Sequence, residues 1–211
     1  MMTCLILLAC HGQSPVQQAD LRPNPGAPIG GPFENSEFFY VGMPKKPAST
    51  DTSAGWNLPA PKLKITGRIL QPDGKTPAPG VILYYYQTND KGRYADVPGL
   101  DRKVVRHGYI RGWVMSDDQG RYSIFTIRPA PYPEASDPAH IHPAILEPGF
   151  PNPYYIDEFL FDDDLLLTTA KRAALENRGG SGILRLVQQG EFWLGERDII
   201  LGKNIPNYPK R

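Results

Sequence analysis

The stretch that decides the fold runs over residues 62–94 and reads KLKITGRILQPDGKTPAPGVILYYYQTNDKGRY. Its first nine residues, 62–70, alternate apolar and polar side chains, which is the period of a half-buried β-strand. Pro72-Asp73-Gly74 is a turn signal, and residues 81–86 are a β-branched and aromatic run typical of a second strand. The stretch therefore predicts β-strands that are joined by tight turns.

The same pattern continues towards the C-terminus. Residues 112–115 and 121–127 have the composition of strands, and between them Asp117-Asp118-Gln119-Gly120 turns the chain. Two last strands are predicted at residues 183–188 and 197–201, around a bend at GEFWLGERD, residues 190–198. The 23 prolines and 21 glycines among 211 residues disfavour a helical protein. Turn signals at this spacing favour an antiparallel β-sandwich.

One segment departs from the strand pattern. Residues 162–180, DDDLLLTTAKRAALENRGG, have an acidic start at residues 162–164, good helix formers and a Gly179-Gly180 stop. They predict one short helix in an otherwise mainly β protein. Residues 62–211 are expected to form the β-sandwich domain. Residues 13–61 are rich in Pro, Gly, Ser, Asn and Ala and predict an extended N-terminal region that orders poorly by itself.

The first residues of the chain carry a possible export signal. Residues 1–12, MMTCLILLACHG, contain a short apolar run that ends in Leu7-Leu8-Ala9-Cys10 and resembles the lipobox of bacterial lipoproteins. We therefore expect a signal segment, export to the bacterial cell envelope or periplasm, and a lipid anchor at Cys10; a cytoplasmic protein is the alternative. Both cysteines lie in this segment, so the β-sandwich must be stable without disulfides.

The composition and net charge of the chain indicate which classes of partner it is expected to bind. The formal net charge is +1 and the sequence has no clustered basic stripe with interleaved aromatic residues, so nothing favours nucleic acid as a partner. The sequence contains no run of about 18 apolar residues, which a membrane-spanning helix would need. Small molecules are the expected partners, and a homo-oligomer is compatible with the sequence.

Two of the four histidines lie close together in the segment APYPEASDPAHIHPAI, residues 130–145. On an extended strand, residues i and i+2 point to the same face, so His140 and His142 would present two imidazoles on one side while Ile141 points away. Two rigidly spaced ligands of this kind are half of a metal site.

Three kinds of metal site can be compared with the sequence. A cupin-type site needs a later third histidine, and none follows His142. A structural zinc site would need cysteines or further histidines, and only His107 and carboxylates remain for it. A ferrous site with two histidines and one carboxylate could use Glu147, Asp157 or Glu158, and spacing alone leaves this alternative open.

Four blocks, in their order and spacing, resemble the intradiol ring-cleavage dioxygenases over residues 63–201. The blocks are YYYQTNDKGRY at residues 84–94, RGWVMSDDQGRYSIFTIRPAPYP at 111–133, PAHIH at 138–142 and RDIIL at 197–201. In that family two tyrosinates and two histidines hold a non-haem ferric ion. The resemblance implies Fe(III) held by Tyr94, Tyr132, His140 and His142, with Tyr132 as the axial, catalytic tyrosine that leaves when substrate binds.

The function that the resemblance implies is cleavage of a catechol by O2 between its two oxygenated carbons, giving a muconate-type diacid. Phenolate oxygens are hard anionic donors that favour ferric over ferrous iron, which suits such a ligand set. By this resemblance, the departing tyrosinate and an iron-bound hydroxide would take the two catechol protons, so that no separate general base is needed. The alternative is a non-catalytic β-sandwich module of the cell envelope that binds a metal or a catechol.

The sequence departs from the family at two places near the expected substrate pocket. Asp137 stands where well-known members have an arginine, and Asp157-Glu158 replaces a Thr-Gln pair. Carboxylates near a dianionic catechol disfavour its charged form unless another cation moves in. We therefore assign Asp137, Glu158 and a cation, Arg111, to the substrate pocket. Arg106 and Arg128 are the other candidates for that cation, and a substrate with its own carboxylate is disfavoured.

Overall fold

The computed structural model describes residues 27–34, 36–134 and 136–210. The predicted signal segment and lipid anchor at Cys10 lie outside these residues. Among the described residues, no helix has the length and apolar character needed to cross a membrane. The strands, in chain order, are β1 Thr50–Thr52, β2 Lys62–Leu70, β3 Ile82–Gln87, β4 Arg111–Met115, β5 Arg121–Ile127, β6 His140–Leu146, β7 Tyr154–Tyr155, β8 Phe159–Phe161, β9 Ile183–Leu184, β10 Val187–Gln189, β11 Phe192–Glu196 and β12 Ile199–Ile200. The helices are α1 Glu37–Tyr40, α2 Thr169–Ala174 and the 3-10 helices Ala54–Asn57 and Arg102–His107.

The strands form two sheets that pack face to face, which confirms the mainly β sandwich. One sheet has the order β1-β5-β2-β11-β10, with β12 also on β2; the other has the order β4-β3-β6-β8-β9, with β7 on β6. The long central pairs, β2 with β5 and β3 with β4 and β6, are antiparallel, whereas β1 with β5, β11 and β12 with β2, and β9 with β8 pair in parallel. Alternate side chains from both sheets, such as Ile65, Ile124, Leu83 and Ile145, are fully buried in one core between them.

The predicted turn at residues 117–120 is present, and it joins two strands that do not pair with each other. The Gly120 amide donates to the Asp117 carbonyl, and Gly120 has a positive φ of 73°. The strands on either side of the turn belong to different sheets, β4 to one and β5 to the other. The turn signal predicts the reversal of the chain but not the sheet that each strand joins.

The C-terminal strands also differ from the prediction. Residues 190–198, predicted as a bend, contain the strand β11, which pairs in parallel with β2 in the register Phe192 to Lys62. The strand predicted over residues 183–188 divides into β9 and β10, which lie in different sheets. The partner of β11 is about 130 residues away in sequence, so no local pattern could indicate the pairing.

The predicted helix is present but shorter, as α2 begins only after Thr168, whose hydroxyl accepts from the Lys171 amide. The three aspartates predicted to start the helix make tertiary contacts instead. Asp162 pairs with Arg172, Asp163 pairs with Arg128, and Asp164 accepts from the Ala139 amide. These contacts tie the segment before α2 to β6 and to the end of β5.

The described part of the N-terminal extension is packed on the sandwich. Phe38 and Phe39 of α1 are buried in a second aromatic cluster on the outer face of the β4-β3-β6 sheet. The Trp113 indole donates to the Phe39 carbonyl over 2.7 Å. β1 extends the other sheet by pairing with β5. The extension therefore covers a sheet face that would otherwise expose aromatic side chains.

His107 lies inside this second cluster. Its ring stacks on Tyr86, with centroids 3.8 Å apart and planes 4° apart, and its Nδ1 is 3.0 Å from the Tyr84 hydroxyl. Burial, helped by the nearby Arg111 and Arg106, lowers the pKa of His107 to about 4. The histidine is therefore neutral at pH 7.

We expect the free energy of unfolding of the metal-free protein to fall as the pH is lowered from about 6.5 towards 4. The folded pKa of His107 lies below its ordinary value, so the unfolded chain binds more protons in that window, and the loss is of the order of 3 kcal/mol. Urea unfolding at several pH values measures it. His142, whose pKa is also lowered, contributes in the same window, so His107→Phe is expected to remove about half of the dependence. An unchanged slope in this variant would contradict the assignment.

Candidate metal centre

Two imidazoles are placed on one face of β6, as the sequence predicts. His140 and His142 point outward, while Ile141 between them is fully buried in the core. The Nε2 atoms of the two histidines are 3.0 Å apart. Nδ1 of His140 lies 2.8 Å from the Pro138 carbonyl, and a proton shared there leaves Nε2 as a lone-pair donor. The backbone before β6 thus orients a ligand nitrogen.

Tyr132 completes the centre from the loop that follows β5. Its hydroxyl oxygen lies 3.1 Å from His140 Nε2, 3.2 Å from His142 Nε2 and 2.6 Å from the Tyr94 hydroxyl. Tyr132 stands between Pro131 and Pro133, whose rings restrict the backbone on both sides. A stiff backbone leaves side-chain rotation as the way for this oxygen to move.

Tyr94 reaches the same point from the loop after β3, because the two loops are fastened together. The Ala130 amide donates to the Asn89 carbonyl, and the Thr88 hydroxyl donates to the Ala130 carbonyl. Gly92, at φ 70°, lies so close to the Pro131 carbonyl that an added Cβ would be 1.9 Å from its oxygen. Only glycine fits this contact, which sets the Tyr94 turn directly on the Tyr132 loop.

The four donor atoms fit one first-row metal ion. Two donors bound at about 2.1 Å and at right angles to each other are about 3 Å apart, and the contacts among these atoms range from 2.6 to 3.2 Å. Two phenol oxygens and two imidazole nitrogens make a hard, partly anionic set that suits Fe(III) better than a soft metal. The structure thus brings Tyr94, Tyr132, His140 and His142 together.

The electrostatics of the four groups are consistent with a cation site. Burial raises the pKa of Tyr94 well above its usual range, and burial also raises the pKa of Tyr132. Burial and the neighbouring His140 lower the pKa of His142 to about 3, so its imidazole is neutral and ready to bind a metal. Only a strong positive charge would ionise such phenols near pH 7, and metal binding releases protons for this reason.

The carboxylates considered as metal ligands lie elsewhere. Glu147 is buried and accepts from the Tyr154 and Tyr208 hydroxyls. Asp157 accepts from the Asn177 amide over 2.7 Å, and Glu158 lies 3.7 Å from Nδ1 of His142, the nitrogen opposite the proposed ligand atom. In the described part of the chain, no group of three or more His, Cys, Asp or Glu could hold a metal. The tyrosines are therefore essential to a site here.

Two cavities adjoin the centre. One, of about 410 Å³, has apolar walls from β8 and α2 and is called the apolar cavity; its lining includes Tyr132, His140, Leu160, Leu167, Ala174 and Leu175. The other, of about 460 Å³, is called the acidic cavity; its lining includes Glu34, Asp157, Glu158, Glu176, Tyr155 and Arg178. Tyr132 lines the apolar cavity, whereas Tyr94 lines neither.

Of the predicted pocket residues, Asp137 and Glu158 line the apolar cavity and Arg111 does not. The assignment of Arg111 to the pocket was wrong. Its guanidinium donates to the Val41 carbonyl over 2.6 Å and lies over the Trp113 ring, so it fastens α1 to the sandwich. The alternative cation Arg128 is paired with Asp163.

Sequence reasoning missed two residues at the centre. Lys171 of α2 lines the apolar cavity, and its ammonium donates to the Ser136 carbonyl. Tyr86 stacks on His142, with ring centroids 4.6 Å apart and planes 19° apart. No sequence signal separates Lys171 from other lysines, because the packing of α2 decides which of its faces meets the cavity. The aromatic run at residues 81–86 predicted a strand but did not indicate that Tyr86 would contact His142.

Comparisons with known proteins agree with this geometry. The model of the family described as Dioxygenase matches residues 37–177. The chain is 34% identical over 87 residues to the protocatechuate 3,4-dioxygenase beta chain of Burkholderia cepacia, a match that covers 38% of this chain and 37% of that protein. It is 26% identical over 189 residues to chlorocatechol 1,2-dioxygenase of Rhodococcus opacus, covering 79% of this chain and 70% of that protein.

Among solved structures, the dioxygenase domain of a dioxygenase and carbohydrate-binding protein fusion from Streptomyces sp. SirexAA-E superposes with a TM-score of 0.54. The identity is 21%, and the match covers 75% of this chain and 90% of that one. The structure of 3-chlorocatechol 1,2-dioxygenase from Rhodococcus opacus 1CP gives a TM-score of 0.53 at 20% identity, covering 76% and 68%. At these identities the likeness shows a shared fold.

Proposed function

The chain belongs to the intradiol dioxygenase family, and from this premise we propose that it is a non-haem Fe(III) enzyme that cleaves a catechol with O2 to a muconate-type diacid. The observation that carries the proposal is the convergence of two tyrosine oxygens and two histidine nitrogens on one point. When bound, ferric iron supplies the Lewis acidity and redox chemistry that prepare a catechol for reaction with O2.

The four side chains would have different roles as ligands of the ion. His140 and His142 are neutral donors held on a rigid strand, and Tyr86 supports the ring of His142 by stacking. Tyr94 and Tyr132 as phenolates would offset two of the three positive charges. Tyr94 is half-buried and lines neither cavity, so it is suited to remain a ligand throughout.

Tyr132 is the residue suited to accept a proton from the substrate. It lines the apolar cavity and lies within 3.2 Å of Tyr94 and both histidines, so a catechol that enters this cavity can reach its oxygen. A phenolate that leaves the centre can take a catechol proton and become a neutral hydroxyl. The walls from Leu160, Leu167 and Leu175 suit the flat apolar ring.

Protein reconstituted with ferric iron is expected to be red-brown, because tyrosinate transfers charge to iron. Catechol added without O2 should shift the visible spectrum, and admission of O2 should then produce a ring-opened diacid as the shifted spectrum decays. Spectroscopy and product analysis by mass spectrometry measure both steps. A colourless protein with stoichiometric zinc, and no spectral response to catechol, would contradict the proposal.

A non-catalytic module that binds a metal or a catechol is the second candidate. The observation that favours it is the pair of carboxylates, Asp137 and Glu158, that line the apolar cavity. The same experiment separates the two functions. A spectral shift that persists in O2 and yields no ring-opened product supports the module.

A further inference from the structure

The two cavities beside the metal centre meet at four residues that line both, namely His142, Glu158, Ala174 and Leu175. A ring that lies in the apolar cavity against Leu160 and Leu167 therefore directs a substituent past Glu158. The lining of the acidic cavity then decides which substituents are accepted.

That lining carries four carboxylates and one guanidinium: Glu34, Asp157, Glu158, Glu176 and Arg178. Arg178 forms an ion pair with Glu176, so its charge is already offset. Within the described residues, Glu158 forms no ion pair with Lys or Arg, and its nearest basic atom is Nδ1 of His142 at 3.7 Å. The buried Arg197 also interacts with Asp157 and Glu158, which leaves four carboxylates against two cations. The potential in this cavity is therefore negative, and an anionic substituent would be repelled.

Two phenols in the same cavity suit a cationic ligand. Tyr155 lines the acidic cavity, and its buried hydroxyl interacts with the neighbouring Tyr86 hydroxyl but lies outside ordinary hydrogen-bond geometry with any described residue. The neighbouring Tyr86 also lines the cavity. A ligand ammonium would bring N–H donors for the Tyr155 oxygen and a positive charge that aromatic faces attract.

Lys171, the cation that lines the apolar cavity, does not reverse the preference for a cationic substituent. The Lys171 ammonium donates to the Ser136 carbonyl, next to Asp137, and both Lys171 and Asp137 line the apolar cavity. Their opposite charges offset each other there, which leaves the acidic cavity with the larger unbalanced charge.

We propose that this site selects catechols that carry a cationic alkylammonium substituent, with the ring in the apolar cavity and the ammonium in the acidic cavity beside Glu158. The inference rests on the proposed function, because the ring is taken to bind at the iron through its two oxygens. Glu158 and Glu34 are the specificity-determining residues.

The test measures affinity without O2, so that it does not depend on turnover. Iron-loaded protein is titrated by calorimetry with 4-(2-aminoethyl)catechol, neutral 4-propylcatechol and anionic 3,4-dihydroxyphenylacetate. At low salt the cationic catechol is expected to bind about tenfold more tightly than the neutral one, and the anionic catechol about tenfold more weakly. Equal affinities, or tighter binding of the anion, would overturn the inference.

Two substitutions test whether Glu158 and Glu34 produce the preference for the cationic catechol. Glu158→Gln and Glu34→Gln are each expected to reduce the ratio of cationic to neutral affinity to about half or less. Glu191→Gln, an exposed turn residue that lines neither cavity, is expected to keep the wild-type ratio. An unchanged ratio in both cavity variants would show that these carboxylates do not select the substrate. Because each ratio is internal to one protein, partial loss of iron does not mimic the result.

Admission of O2 afterwards keeps the two proposals apart. Cationic preference without ring-opened product would overturn ring cleavage and leave the recognition intact. Ring cleavage of 4-propylcatechol without cationic preference would overturn the inference and leave the proposed function intact.

Discussion

Replacing His140 or His142 with alanine is expected to abolish stable iron binding and, with it, ring cleavage. Each change removes one of two neutral donors whose Nε2 atoms lie 3.0 Å apart, and among the described residues no group of three or more His, Cys, Asp or Glu could replace the site. Loss of a residue that only orients a ligand costs about 10- to 100-fold in metal affinity, so loss of a ligand should cost more than about 100-fold. Iron per chain after gel filtration measures the effect.

A histidine outside the centre provides the matched control. His107 is buried and lies on the far side of Tyr86 from His142. His107→Phe is therefore expected to keep its iron at neutral pH. Full iron occupancy in both His140→Ala and His142→Ala would show that the iron is held at another site.

Replacing the tyrosines is expected to have large but different effects. Tyr132→Phe removes the oxygen that lies within 3.2 Å of all three other donors and that lines the apolar cavity. The variant should change colour and lose about 100- to 10,000-fold in kcat, which is the usual contribution of a positioned proton acceptor. Tyr94→Phe should mainly weaken iron binding, because Tyr94 lines neither cavity.

Tyr122→Phe is the control for the tyrosine variants. Tyr122 is buried in the core, as its alternation with Ile124 and Thr126 predicts, and its hydroxyl donates to the Arg197 carbonyl. This variant should keep the wild-type visible spectrum and rate. Iron content and activity that are indifferent to loss of both Tyr94 and Tyr132 would favour the ferrous or zinc site with a carboxylate.

Local pattern was sufficient for most of the central strands. β2 and β5 have the bounds that their alternation predicts, and β3 is displaced by one residue at each end. Their inward side chains, such as Leu63, Ile65 and Ile124, are fully buried. Alternation is a property of the pleated backbone itself and needs no knowledge of the partner strand.

One part of the candidate centre, the histidine pair, was predictable from the alternation of side chains along a strand. Because His140 and His142 are two residues apart on a strand, their shared face follows from the backbone alone. The choice of Tyr94 among 11 tyrosines came from the resemblance to a family, since nothing local distinguishes it. The contact of Gly92 with the Pro131 carbonyl, which joins the two tyrosine loops, belongs to the tertiary structure.

The sequence by itself determined the mainly β character, the face of the histidine pair and the existence of a short helix. Only the tertiary structure decided that β4 and β5 lie in different sheets, that β11 pairs with β2, and that Lys171 rather than Arg111 lines the cavity. Backbone period and turn chemistry depend on a few neighbouring residues, so a short stretch of sequence is enough to predict them. The choice of a partner strand, and the direction of a long charged side chain, depend on packing between segments that are distant in the chain.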